Sequence, residues 1–417
     1  MTYSAMIAAG KNSSCAIRTD GGLKCWGQNE LGQLGLGDTN DYGNDAGEVG
    51  TGVPAVNIGQ AVRFVTAGDH NTTCAIRADN ETVCWGNGED YLLGNGLNGT
   101  NIGDEPGEMG SAMTTVDFGG SYAVSLSEGD THICALLASG EIKCWGPNNY
   151  GELGVSGSVQ TTAQLGTSWS AVYLGSGRTA TAVSAGANHT CAIIDDGTVK
   201  CWGLNNYGQL GYDDSTNRGY AELASDMPTV NLGDGRTATA IAAGGYYTCA
   251  VLDDGSLKCW GYNASGQLGQ DSTTTIGDDS GEMAELLPIN LGLGRTATSI
   301  YASRRADLDY TCAILDNSTL KCWGYNGDGQ LGLGNYIHQG DDVGEMAELS
   351  AVNLGTDLIP AQVAMGERHT CVLMTTNAVK CFGIGSGGQL GNGTAVDYGG
   401  DTDSIGDDIP FVDLRTP

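Results

Sequence analysis

Short runs of alternating apolar and polar residues, broken by glycine turns, recur along this chain every 57 to 63 residues. One complete unit reads TVNLG at 229–233, TAIAAG at 239–244, YTCAVL at 247–252 and SLKCWG at 256–261, and ends in GQLG at 266–269. Runs of this length, rich in Val, Ile, Leu and Ala and bounded by Gly, Asn and Asp, read as strands. Four strands per unit and seven units predict an all-β fold: a single seven-bladed β-propeller of four-stranded blades spanning 1–417. Blade one starts at its second strand, AMIAAG at 5–10. Its missing strand is supplied by residues 409–415, so the C-terminal strand is expected to pair with the N-terminal blade and close the ring.

The cysteines fix the register of each unit. All fourteen form seven pairs ten residues apart: Cys15/Cys25, Cys74/Cys84, Cys134/Cys144, Cys191/Cys201, Cys249/Cys259, Cys312/Cys322 and Cys371/Cys381. In CAIIDDGTVKC at 191–201, Asp195, Asp196 and Gly197 form a hairpin turn that places Cys191 opposite Cys201. Facing residues of an antiparallel pair lie within disulfide reach. The close C-x-x-C pairs of zinc and redox sites are absent, which leaves two readings: a disulfide in every blade, or facing buried thiols. The complete matching of all seven pairs favours disulfides, and with them a non-reducing compartment: extracellular, periplasmic, or on a cell or particle surface.

The recurring motifs are small-residue strands ending in Ala-Gly, then His-Thr-Cys-Ala, Cys-Trp-Gly and Gly-Gln-Leu-Gly. Over essentially the whole chain they resemble the regulator of chromosome condensation repeat family, whose fold is a seven-bladed propeller. The departures are Tyr91-Leu-Leu-Gly94 in blade two, Glu152 in blade three, Phe382 for tryptophan in blade seven, and Tyr301-Ala-Ser-Arg-Arg305 in blade six. The basic pair Arg304 and Arg305 marks blade six as a candidate interaction site. The family's best-known member exchanges nucleotide on a nuclear GTPase. Its functional residues cannot be mapped onto this chain, and an acidic, disulfide-linked chain does not suit a nucleus. Other members present binding surfaces, including secreted enzyme inhibitors.

Composition narrows the partners. Glycine reaches 68 residues, consistent with many tight turns, and the formal net charge is -31. Nucleic acid and anionic membrane surfaces need a basic face and are excluded on that ground. Cationic partners, metal ions or a salty habitat fit instead. No apolar run is long enough to span a membrane, and residues 1–10 show no signal-peptide pattern, so the chain reads as a mature or trimmed form.

Candidate chemistry is sparse. Trp26, Trp85, Trp145, Trp202, Trp260 and Trp323 each follow a second cysteine and read as inter-blade packing rather than a binding ring. Lys24, Lys143, Lys200, Lys258, Lys321 and Lys380 precede it and read as solvated edge lysines. His132, His189 and His369 share a position with Tyr247 and Tyr310, which favours packing or hydrogen bonding over metal ligation. The GxGRTA segments at 175–180, 233–238 and 292–297 read as turns, since no helix follows to make a phosphate site. No Walker loop, nucleophile elbow or H-E-x-x-H motif occurs.

Four inserts after Gly-Gln-Leu-Gly are nearly free of basic residues: GNDAGEV at 43–49, GDEPGEM at 103–109, GDDSGEM at 277–283 and GDDVGEM at 340–346. They carry Asp45, Glu48, Asp104, Glu105, Glu108, Asp278, Asp279, Glu282, Asp341, Asp342 and Glu345, and should crowd one face of the disc. Such carboxylates on glycine turns suit calcium, the one candidate cofactor; the plainer reading is an acidic turn capping a short helix. The blade-three insert, 155–171, has no acid. Sequons begin at Asn12, Asn71, Asn80, Asn98, Asn188, Asn263, Asn317 and Asn392, which are glycosylation candidates in a eukaryotic secretory pathway.

These readings point to a non-catalytic extracellular module. It is either a recognition disc for a protein partner or a self-assembling subunit of a surface layer, coat or filament. The alternative is a calcium-dependent binder of glycans or another ligand on the acidic face. A secreted enzyme inhibitor, or a hydrolase or lyase in the central channel, ranks below both.

Overall fold

Alternating small and branched residues in each repeat build a three-stranded antiparallel meander. The computed structural model describes residues 4–155, 169–220, 226–305 and 307–415. Blade one comprises β1 (Met6–Ala9), β2 (Ser13–Ile17) and β3 (Leu23–Gly27); blade two, β4 (Val62–Ala67), β5 (Thr72–Arg77) and β6 (Thr82–Gly86). Blade three comprises β7 (Ala123–Glu128), β8 (Ile133–Leu137) and β9 (Ile142–Trp145); blade four, β10 (Ala180–Ala185), β11 (His189–Ile194) and β12 (Val199–Gly203). Blade five comprises β13 (Ala238–Ala243), β14 (Tyr247–Leu252) and β15 (Leu257–Gly261); blade six, β16 (Ala297–Ala302), β17 (Tyr310–Leu315) and β18 (Leu320–Gly324). Blade seven comprises β19 (Pro360–Met365), β20 (His369–Met374) and β21 (Val379–Gly383).

The first strand of each blade lines the axis, and β1 touches both β4 and β19, so the blades form a closed ring. The crowded axis explains the small residues of these strands. At the end of β13, a Cβ on Gly244 would lie 2.0 Å from the Tyr247 ring. Seven apolar clusters fill the seven blade interfaces. The last joins Ile7, Ala9 and Trp26 of blade one to Leu373, Val379 and Val412 at blade seven. Each interface therefore buries apolar surface from two blades, and the closing interface is built like the others.

Two expectations change. The described sheets are three-stranded, not four-stranded. The segment read as the first strand of the next unit instead lies on the outer edge of the preceding blade. It is held there by one backbone bond per blade, such as Val230 N to Val199 O at 2.9 Å. The C-terminal segment follows the same rule. Val412 N donates to Val379 O at 2.9 Å, and Phe411 bridges Lys380, so the segment edges blade seven rather than blade one. It meets blade one through Gly50 N on Asp413 O at 3.2 Å and through Lys24 Nζ on Arg415 O. One bond per segment leaves these residues outside a regular ladder.

Strand direction sorts the loops onto two faces. One, the loop face, carries the turns between first and second strands, the Gly-Gln-Leu-Gly turns and the acidic inserts. The other, the hairpin face, carries the turns between second and third strands and the GxGRTA turns. Arg178 and Arg236 hold those hairpins down, with Arg178 Nε 2.9 Å from Asp195 and Arg236 Nη2 2.7 Å from Asp254. No helix among the described residues is long and apolar enough to cross a membrane.

Candidate binding face

Register delivers the cysteines. In every blade the second and third strands pair so that the two cysteines face each other directly. Cys15 is bonded to Cys25, Cys74 to Cys84, Cys134 to Cys144 and Cys191 to Cys201. Cys249 is bonded to Cys259, Cys312 to Cys322 and Cys371 to Cys381. Their Cα–Cα separations are 4.0 to 4.1 Å, and no cysteine among the described residues is left as a thiol. Of the two readings open from the spacing, the structure takes the disulfide and not the pair of facing thiols.

The recurrent polar residues join neighbouring blades. His189 Nε2 lies 2.9 Å from Thr248 Oγ1, His132 Nε2 2.7 Å from Thr190 Oγ1, and His369 Nε2 2.9 Å from Ser14 Oγ across the closing interface. Where tyrosine replaces histidine the reach is longer: Tyr247 OH donates to Tyr310 O at 2.6 Å, and Tyr310 OH to His369 O at 2.7 Å. Burial lowers all three histidines to about 3, so they are neutral in the fold. Each of the six tryptophans that follow a second cysteine anchors to the turn of the preceding blade. Trp202 Nε1 donates to Glu152 O at 2.9 Å, and Trp260 Nε1 to Gln209 O at 3.1 Å. Glu152 replaces the usual glutamine without loss, since its carboxylate accepts Tyr150 N at 2.7 Å just as Gln209 Oε1 accepts Tyr207 N at 2.9 Å.

The centre of the loop face is different. Blade six carries extra residues between β16 and β17, and Arg304 from this insertion crosses the axis to donate to Ala67 O of blade two at 3.2 Å. Arg305 lies 3.7 Å from Glu367 of blade seven. Around them stand the buried carboxyls Asp69, Glu128 and Asp309. Burial raises Asp69 to about 6, against the opposing pull of Arg304, and raises Glu128 to about 7 although Thr72 Oγ1 donates to it at 2.8 Å. Burial also pushes Asp309 well above its ordinary value. Below this mouth the inner strands and Arg304 line an open cavity of about 210 Å³. The Arg304/Arg305 dipeptide thus belongs to the channel mouth.

Beside the mouth, three tyrosines from three different turns converge. Tyr207 stacks on Tyr246 with ring centroids 5.3 Å apart and meets Tyr262 at 4.8 Å. Tyr207 is 36% exposed and Tyr150, of the same turn type one blade earlier, is 38% exposed. Nothing in the repeat pattern marked these residues, because each comes from a separate loop.

Family profiles described as "Regulator of chromosome condensation (RCC1) repeat" match residues 7–33, 123–152, 180–209, 238–267 and 361–389, and a second match covers 196–251. The chain carries regulator of chromosome condensation repeats, which these profiles match over less than half of its length. This repeat propeller is 29% identical over 392 residues to the ultraviolet-B receptor of Arabidopsis thaliana, covering 94% of this chain and 79% of the receptor. It is 26% identical over 381 residues to human E3 ubiquitin-protein ligase HERC2; that covers 87% of this chain and 7% of the ligase. Among solved structures, Prp20p of Saccharomyces cerevisiae matches with TM-score 0.63 and 21% identity, over 86% of this chain and 80% of Prp20p. Human WBSCR16 matches with TM-score 0.67 and 16% identity, over 93% of this chain and 92% of its own.

Three of the insert glutamates, Glu108, Glu282 and Glu345, turn inward onto their own loops. Glu282 accepts Gly277 N at 2.7 Å and Asp279 N at 3.0 Å, and Glu108 and Glu345 repeat this on Gly103 N and Gly340 N at 2.8 Å. Glu282 and Glu345 also open the short helices α1 (Glu282–Glu285) and α2 (Glu345–Glu348). Glu48, Asp104, Asp278 and Asp341 are half-buried, while Asp45, Glu105, Asp279 and Asp342 are exposed. Among the described residues no group of three or more His, Cys, Asp or Glu side chains is placed to hold a metal ion. Of the blade-three insert, 156–168 lies outside the described residues.

The lysines correct the expectation of solvated edges. Lys24, Lys143, Lys258 and Lys380 are buried, because the outer segment of each repeat roofs their stems. Lys143 Nζ donates to Phe118 O at 3.0 Å, and Lys380 Nζ to Leu354 O at 3.0 Å and Gly406 O at 2.7 Å. Among the sequons, Asn80, Asn98 and Asn317 are exposed, and Asn12, Asn71, Asn188 and Asn392 are half-buried. Asn263 is fully buried, and its Nδ2 donates to Ser272 O at 2.7 Å and Thr274 O at 3.0 Å, so it is no glycan acceptor in the folded chain.

Proposed function

We propose that this chain is a non-catalytic protein-recognition disc that works in an oxidising compartment outside the cytosol and contacts its partner through the loop face. One observation carries the reading. The recurrent histidines and tryptophans join neighbouring blades and the recurrent glutamines hold their own turns, so what varies from repeat to repeat is displayed on loops over a rigid frame. Seven disulfides in one chain suit an oxidising setting, in solution or at a cell or particle surface. Prp20p, which shares the fold, binds Gsp1p and histones, which shows the architecture serving protein contacts. The net charge of -31 selects for a partner with a basic surface.

The test is binding of the oxidised chain, immobilised through the hairpin face, to a panel of purified secreted and cell-surface proteins. Saturable binding that weakens when exposed loop-face residues such as Tyr150 are replaced, and not when the hairpin residue Asp254 is replaced, supports the reading. Binding that ignores the loop face, or turnover of a substrate without any protein partner, contradicts it.

A further inference from the structure

We propose that Tyr207, Tyr246 and Tyr262, with the Asp130 and Asp307 carboxylates beside them, form a receptor for the cationic side chains of a basic peptide segment. This rests on the protein-recognition reading and names the chemistry of the partner. Tyr207 comes from the Gly-Gln-Leu-Gly turn of blade four, Tyr246 from the β13–β14 turn, and Tyr262 follows β15. Their rings are 5.3 and 4.8 Å apart, with Tyr246 inclined 30° and Tyr262 53° to Tyr207, so they make a corner rather than a flat stack. Tyr246 is stacked on Tyr207, so the π faces offered to a guanidinium or ammonium are those the stack leaves uncovered, with Tyr262 tilted at 53° beside them.

The electrostatics favour a cation over a sugar. Asp130 and Asp307 lie within electrostatic reach of Tyr246, and Asp307 and Asp309 within reach of Tyr262. Arg304 is directed toward blade two and Arg305 toward Glu367 of blade seven, while His70 lies 3.8 Å from Asp130 and shares that carboxylate. Aromatic faces rimmed by carboxylates, on a chain of net charge -31, complement a positively charged segment.

The experiment uses the full oxidised chain and a fluorescent octapeptide alternating arginine with glycine. Its probes for comparison are the same peptide with citrulline for arginine, which keeps shape and loses charge, and a neutral chito-oligosaccharide. The expected result is saturable arginine-peptide binding. The double variant Tyr207→Leu/Tyr246→Leu weakens it about 30-fold, and Tyr207→Phe, which keeps the ring, changes it by about twofold or less. Asp307→Asn weakens it several-fold more than the remote control Asp342→Asn. Equal binding of the citrulline peptide, preference for the oligosaccharide, indifference to the leucine variant, or equal effects of Asp307→Asn and Asp342→Asn each overturn the proposal. A chain that still captures a protein partner after Tyr207→Leu/Tyr246→Leu overturns this inference while leaving the recognition disc intact.

Discussion

Replacing His189 with glutamine isolates one inter-blade joint and reads it through acid. The imidazole sits in a fully buried site, bonded to Thr248 Oγ1 at 2.9 Å. Burial lowers its value from 6.5 to about 3. Once the chain unfolds the ring titrates near its ordinary value, so as pH falls the unfolded state takes up the proton first. The stability that His189 contributes is therefore complete above 6.5 and drains away as pH falls toward 3. The loss runs at about 1.4 kcal/mol per pH unit, or about 2.7 kcal/mol two units below the unfolded value. At neutral pH, His189→Gln costs about 1–3 kcal/mol, because it removes a buried hydrogen bond and leaves Thr248 short of a partner. At a pH of about 4.5 the variant escapes the protonation penalty, and the deficit falls to about zero or reverses sign. Urea unfolding of both proteins with disulfides intact, at closely spaced pH values, measures the difference. A difference that stays flat from pH ~7.5 to pH ~4.5 refutes the buried, neutral histidine and with it the joint.

Three further outcomes follow from the same geometry. Trp202→Phe removes the donor to Glu152 O but keeps the ring in its core, so it lowers stability by about 1–2 kcal/mol in chemical denaturation, whereas Phe382→Trp is free of that loss. Arg304→Gln withdraws the cation that lowers Asp69 and Glu128, so both carboxyls rise further. Because raised carboxyls stabilise the fold below their unfolded values and lose that contribution as pH climbs through about 6 to 7, the variant's melting temperature falls more than the parent's between pH ~5 and ~8. Expressed through a eukaryotic secretory pathway, the chain carries glycan at Asn80, Asn98 or Asn317 and none at Asn263; glycopeptide mass spectrometry showing an occupied Asn263 contradicts its buried placement.

What the sequence revealed depended on whether a feature repeats. The ten-residue cysteine spacing determined the register of every hairpin, and Cys191 opposite Cys201 is what the Asp195-Asp196-Gly197 turn dictates. Cys84, Cys144, Cys259 and Cys322 reach their partners the same way, although the turns before them differ in sequence. The histidine-to-tyrosine exchange at 247 and 310 pointed to joints rather than ligands, and both tyrosines reach the next blade. The fourth strand misled because alternation reports which side of a segment is apolar, not how many backbone bonds it makes; residues 229–233 make one such bond to β12, through Val230. The lysines misled for a related reason. Alternation points Lys380 away from Cys381, but the chain returning across β21 covers that side and turns an exposed edge into a buried one. The tyrosine corner left no trace in the pattern, since it assembles only when turns of blades four and five come together in space.

The propeller is held by one frame: seven blades, each closed by its own cross-strand disulfide. Non-reducing peptide mapping of alkylated native material tests it most directly. The prediction is no alkylated cysteine and seven linked peptides, each joining cysteines ten residues apart, Cys15 with Cys25 through Cys371 with Cys381. Free, alkylated cysteines, or links between blades, would contradict both the frame and the compartment inferred from it.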